Sequence, residues 1–137
     1  MEKVIEIKNL TKSYGSLIAL DDFNLDVYQG EILGLLGPNG SGKSTCINTI
    51  LSLLKYDSGK IMIFNQEMKP SAYQIKRKIG VVFQDVAVFE ELSVKENIDY
   101  FCGLYIKDKK IRAKYVQEAI DLVSLNEFVK FKPKQLS

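Results

Sequence analysis

Residues 37–45 read "GPNGSGKST", Gly37 through Thr45, and the reading of the whole chain turns on them. The pattern G-x-x-x-x-G-K-[ST] runs from Gly37 to Ser44. Before it stands "EILGLLG", Glu31 to Gly37, a near-continuous apolar run of the kind expected for a strand buried on both faces. After Gly42 the period changes: Ile47, Ile50, Leu51 and Leu54 recur at helical spacing, which predicts a helix from about Lys43 to Leu54. Strand, glycine loop and helix is the context in which such a loop holds phosphate. Gly40 and Gly42 let the backbone come close to an anion. The N–H groups of Asn39, Gly40, Ser41 and the helix start form a nest where the helix dipole favours negative charge, and Pro38, which has no N–H, lines it. Lys43 reaches the outer phosphates as a point charge. The Ser44 hydroxyl is placed to hold a magnesium ion bridging those phosphates, and Thr45 adds a hydrogen bond to the innermost one.

Outward from the loop, Val4, Ile5 and Ile7 around Glu6 predict a short strand, and "FNLDVYQGE" alternates as a second. "DSGKIMIFNQE" reads as a turn and a strand, with "FNQE" a further turn. "QIKRKIGVVFQD" reads as a basic helix end leading into an apolar strand, Ile79 to Phe83. Ser93 and Glu96 form a capping box ahead of Ile98, Phe101 and Leu104. Ile111, Tyr115, Ala119, Leu122 and Val123 mark one face of a last helix. Mixed strands and helices followed by helices alone predict an α/β core with a helical appendage.

The bulk composition excludes several classes. At 137 residues, 46% hydrophobic and 26% charged, the sequence suits one soluble globular domain. A net charge of +2, from 19 basic and 17 acidic residues, gives no argument for a nucleic-acid partner. No apolar run approaches the roughly 18 residues that would span a bilayer, and "MEKVIEIKNL" lacks a signal-peptide core. Two cysteines and no histidine give neither a disulfide framework nor metal-ligand spacing, which suits the reducing cytosol.

Kinases, GTPases, helicases and transport ATPases share the phosphate loop, so the flanks must narrow the reading. "NLTKSYGSLIALDDFNLDVYQGEILGLLGPNG" upstream and "IGVVFQDVAVFEELSVKENI" downstream resemble the ATP-binding cassette of ABC transporters, over essentially the whole chain. The resemblance implies a P-loop NTPase core with an N-terminal antiparallel β subdomain and the start of a helical subdomain. It divides the chain into residues 1–85, the β subdomain with the P-loop core strands, and residues 86–137, the Q-loop and part of the helical subdomain. It implies ATP and Mg2+ as ligands, with Tyr14, just before Gly15, stacked on the adenine. Gln84, ending "GVVFQ", takes the role of the Q-loop glutamine that touches the magnesium ion and the attacking water. Lys43 and Gln84 are then the catalytic candidates, Ser44 and Gln84 the metal ligands. On residue grounds alone, Tyr14 is an ordinary half-buried aromatic and Gln84 a polar strand end. Val86, Val88 and Phe89 follow where the family leans on its membrane domain; core packing is the other reading of these three.

The same resemblance bears on the tail. "KPKQLS" ends in Leu136 and Ser137, which match the first two residues of the family's Leu-Ser-Gly-Gly signature. The Walker B carboxylates and the switch histidine find no match in this sequence. The expectation is therefore an incomplete cassette that binds nucleotide weakly and does not hydrolyse it. Its phosphate-loop strand and its Gln84 strand would lack their shared neighbours and expose apolar edges. The implied partners are a transmembrane permease and a second ATPase subunit, identical or different, with no nucleic acid. The implied place is the inner face of the cell membrane. "ENIDYFCGLY" leans towards the antibiotic and multidrug exporters. The alternatives are a soluble ABC protein acting on ribosomes or DNA, and another P-loop NTPase. For a GTPase the Asn-Lys-x-Asp motif is missing.

Overall fold

The structure, a computed structural model, describes residues 2–83 and 87–136. The chain resolves into two compact units, Met1–Val81 and Val82–Ser137.

The first unit is built on a four-stranded antiparallel sheet, β1 (Lys3–Tyr14), β2 (Leu17–Tyr28), β3 (Ser58–Ile63) and β4 (Gln66–Glu67), in the order β2-β1-β3-β4. β1 and β2 form a hairpin closed by a two-residue turn, with Tyr14 opposite Leu17. A register shift lies between Ile7 and Leu10, where Asn9 takes a positive φ of 50° and Asp22 one of 45°. Asn9 Nδ2 donates to Asp22 Oδ1 at 2.6 Å, and Asn24 Oδ1 accepts the Asn9 N–H at 2.9 Å, so side chains satisfy backbone that the bulge withdraws from the ladder. The "FNQE" turn appears as the β3–β4 hairpin, with Phe64 and Asn65 both at positive φ as a two-residue hairpin turn requires. Two helices complete the unit, α1 (Lys43–Ile50) and α2 (Tyr73–Lys76). The inner face of the sheet supplies Ile7, Leu10, Leu20, Ile61 and Ile63 to a core closed by Cys46, Met68 and Ile75.

Three expectations for this unit need correction. "EILGLLG" is not a strand: it joins no strand among the described residues, Ile32 is 100% and Leu36 92% exposed, and Leu35 alone of the run packs on the core. A continuous apolar run becomes a strand only beside partners for its backbone groups, and here the sheet extends on the other side of β1. For the same reason residues 79–83 form no strand. The predicted helix ends at Ile50 and not at Leu54, because Ser52 turns into the left-handed region at φ 54° and Leu53 and Leu54 both donate back to Asn48 O.

The second unit is helical: α3 (Val94–Tyr105), α4 (Lys109–Leu122), then two 3₁₀ turns, Asn126–Phe128 and Pro133–Gln135. The capping box forms as predicted: Ser93 N–H donates to Glu96 Oε2 at 2.8 Å, and the Glu96 N–H donates to Ser93 Oγ at 3.3 Å. Asn97, one residue on, is buried and takes hold of the preceding loop. Its amide donates to the carbonyls of Phe89, Leu92 and Ser93, and its oxygen accepts the Phe89 N–H at 2.8 Å. Arg112 Nε donates to Asp99 Oδ1 at 2.8 Å, tying α4 to α3. The face expected for α4 is not the buried one. Val116 and Ile120 are enclosed, while Ile111, Tyr115, Leu122 and Val123 are exposed. Both stripes have helical spacing, so periodicity alone does not choose between them.

Candidate functional site

The loop of residues 37–42 leads directly into α1, and Gly42 is the N-cap. Gly40 and Gly42 lie at φ 84° and 87°, the left-handed backbone from which nests of N–H groups are built, and between them the Ser41 N–H turns to Pro38 O at 3.2 Å. Gly42 also lies hard against β2, where a Cβ in its place would stand 2.4 Å from the Ala19 carbonyl oxygen. No side chain caps α1 and no acidic residue stands in its first turn, so its N-terminal amides and dipole remain available to an anion.

Lys43 folds back over the loop. Its Nζ donates to Gly37 O and Pro38 O at 2.7 Å each, and lies 3.4 Å from Ser41 Oγ. Neutral carbonyls thus hold the ammonium at the loop mouth, and a phosphate oxygen offers it a charged and therefore stronger acceptor. Asn39 and Ser41 are exposed on the loop; Ser44 is exposed and Thr45 half-buried in the first turn of α1. Behind them Cys46 faces the core, where burial pushes its thiol up, so it packs as an apolar group. A largely apolar cavity of about 230 Å³ lies behind the loop, between Leu20, Phe23, Leu35 and Cys46. A larger groove of about 480 Å³, between Ser52–Tyr56 and Met68–Pro70, contains none of the predicted site residues.

The donor set suits a metal only in company with phosphate. Ser44 offers one hard oxygen, and no group of three or more His, Cys, Asp or Glu that could hold a metal occurs among the described residues. Magnesium commonly takes one or two protein oxygens alongside phosphates and waters, which this arrangement matches.

Tyr14 stands at the end of β1, 47% exposed, opposite Leu17. Leu17 is two residues from Ala19, the residue against which Gly42 is pressed. The first unit therefore brings Tyr14 and the phosphate loop to the same end of the β1–β2 hairpin. Gln84 and Val86 lie outside the described residues. In the second unit Val88 and Phe89 are exposed, which is not core packing. Phe89 meets Tyr100 edge-on at 4.7 Å, and Tyr100 meets Phe101 at 5.5 Å, with Leu104 and Tyr105 also exposed on α3. The sequence carries a signal for this ridge: α3 has more large apolar residues than one buried stripe uses. Lys12, whose Nζ lies 5.2 Å from the Tyr14 ring centroid, was also legible, since residues i and i+2 of a strand share a face. Asp57, which meets Lys12 from the far side of the chain, was not.

Comparison with known proteins places these features in context. A model of the family described as "ABC transporter" matches residues 20–137. The chain is 41% identical over 133 residues to "Probable sulfate/thiosulfate import ATP-binding protein CysA" of Chlorella vulgaris, covering 97% of this chain and 56% of that protein. Among solved structures it superposes on cbiO1 from Clostridium perfringens, described as part of the ABC transporter complex cbiONQ. There the TM-score is 0.89 at 25% identity, over 100% of this chain and 57% of the other. It also superposes on the ATP-binding cassette MJ0796, a dimer in a post-hydrolysis state bound to ADP and Pi, with TM-score 0.76 at 32% identity over 97% and 63%. The chain thus spans little more than half the length of these relatives.

Proposed function

The chain belongs to the ABC transporter family, and from that premise we propose that it is the nucleotide-gripping part of an ATP-driven motor subunit. The motor works with a transmembrane permease and a second ATPase subunit to move a substrate across a membrane. The observation that carries the reading is Lys43 Nζ drawn to 2.7 Å from both Gly37 O and Pro38 O, over a loop whose glycines open the N-terminus of α1. In this reading the loop amides of residues 37–45 and Lys43 bind the triphosphate of ATP, and Tyr14 stacks on its base. Mg2+, when bound, neutralises phosphate charge, with the Ser44 hydroxyl and Gln84 as its protein oxygens. Gln84 also orients the attacking water.

The 137 residues alone are expected to bind nucleotide weakly without turning it over. General-base help is commonly worth about 10²–10⁴ in rate, and the sequence carries no histidine to give it. The description of MJ0796 as a dimer and of cbiO1 as part of a transporter complex supports the two partners. The exposed ridge of Val88, Phe89, Tyr100 and Phe101 is the surface proposed to meet the permease. No helix among the described residues is long and apolar enough to cross a membrane, and the proposed place is the inner face of the cell membrane, held there by the permease. The sequence resemblance of "ENIDYFCGLY" points to export, whereas the Chlorella relative is named for import; the proposed direction follows the relative.

Calorimetric titration with MgATP tests the core of the proposal. The expected result is binding that weakens roughly 10- to 150-fold on Lys43→Ala, the worth of a charge-assisted contact. Equal affinity in the two chains would overturn it.

A further inference from the structure

The ammonium over the Tyr14 ring and the backbone just before it meet a single carboxylate. Lys12 Nζ lies 5.2 Å from the Tyr14 ring centroid, within reach of a cation–π attraction. The same ammonium lies 3.4 Å from Asp57 Oδ1, and Asp57 Oδ2 accepts the backbone N–H of Ser13 at 2.7 Å. Ser13 is the residue immediately before Tyr14.

The carboxylate is itself firmly placed. β3 begins at Ser58, paired with Thr11, so β1 runs on past the end of its neighbour. The Ser13 amide would have no ladder partner there, and the Asp57 side chain caps it. Asp57 N–H donates to Thr11 O at 2.9 Å. Two residues on, Gly59 is pressed so closely to β1 that a Cβ would stand 2.5 Å from Asn9 O. The Ser13 N–H, with Lys12 after it, holds the Asp57 carboxyl below the usual range, so it is charged at neutral pH.

We propose that Asp57 is a positioning residue for nucleotide base recognition, fixing the backbone at Ser13 and the Lys12 ammonium so that the Tyr14 ring offers one set face to a purine. A ring covered on one side by a cation presents only the other to a flat partner. With its χ angles held in advance, less ordering entropy is lost when the base arrives. The inference rests on the reading of Tyr14 as the stacking residue.

Two ligands separate the base from the phosphates: MgATP, and magnesium tripolyphosphate, which lacks the base. The unchanged chain is expected to prefer MgATP. Asp57→Ala should lower MgATP affinity by roughly 5- to 20-fold, a share of what a base–aromatic stack is worth, and leave tripolyphosphate affinity unchanged. In a Tyr14→Ala background the same substitution should change neither. Asp57→Asn keeps an oxygen for the Ser13 N–H but not the charge facing Lys12; it should fold as the parent does and lose part of the preference. Parallel losses for both ligands, or full additivity with Tyr14→Ala, would overturn the role of Asp57 alone. An unchanged chain that binds both ligands equally would remove the Tyr14 reading and this inference with it.

Discussion

The Gly42 backbone rests against the Ala19 carbonyl with no room for a methyl group: a Cβ on Gly42 would come within 2.4 Å of that oxygen. The contact fixes the phosphate loop to β2 at the point where α1 starts. Gly42→Ala must therefore both push the loop off β2 and force an L-residue to φ 87°. The left-handed strain alone is about 1–2 kcal/mol, and the clash adds to it. Thermal melting should show the loss, and MgATP titration should show affinity falling at least as far as in Lys43→Ala.

A second prediction concerns Asn97, whose side chain satisfies the Phe89 N–H and three carbonyls from within the second unit. Asn97→Ala leaves the Phe89 N–H and the Leu92 carbonyl without their partner in a part-buried place, while the Phe89 and Ser93 carbonyls keep the Leu92 and Asn97 N–H groups. About 1–3 kcal/mol is the usual cost of such a deletion. Hydrogen exchange should locate the damage: the Phe89 amide is expected to exchange faster, while the Ser13 amide in the other unit keeps its rate.

Acid should loosen the start of α3. The Glu96 carboxyl is held below the usual range, chiefly by the Ser93 side chain and then by the Ser93 backbone N–H. A carboxyl depressed in the folded state contributes stability that is complete above its unfolded pKa and drains away as pH falls through its folded one. Glu96→Gln keeps an oxygen for the Ser93 N–H and titrates nothing. Melting temperature plotted against pH should consequently fall less steeply below the carboxylate range in Glu96→Gln than in the parent; identical acid limbs would contradict the assignment.

Ile32 and Leu36, 100% and 92% exposed, lie on a segment that joins no strand or helix among the described residues. Burying either is worth about 1.5–3 kcal/mol, so copies of this chain should associate as concentration rises. Light scattering on the parent and on Ile32→Lys with Leu36→Lys checks this: the double variant should stay monomeric over the range in which the parent grows. A parent that scatters as a monomer throughout would refute it.

How far the sequence disclosed this outcome depends on the range of the forces involved. The left-handed glycine turn of residues 40–42 and the Ser93–Glu96 cap were legible because each is closed by residues within a few positions, and their geometry follows from residue type. "EILGLLG" misled because its pattern encodes burial, and burial depends on neighbours that the segment cannot name. The α4 face misled in another way: Ile111–Tyr115 and Val116–Ile120 are equally good stripes, and only the tertiary partner picks one. Asp57 was invisible for a third reason. Its partners Lys12 and Ser13 are 45 and 44 residues away, joined to it by strand register alone.

The Arg112 guanidinium passes α3 where residue 103 has no side chain; a Cβ there would stand 2.8 Å from Nη1. The atom met there is the far end of a flexible side chain, so alanine at 103 displaces the guanidinium and does not evict it. The cost of filling the notch falls on the aim of the Arg112 bridge to Asp99 and not on the spacing of the two helices.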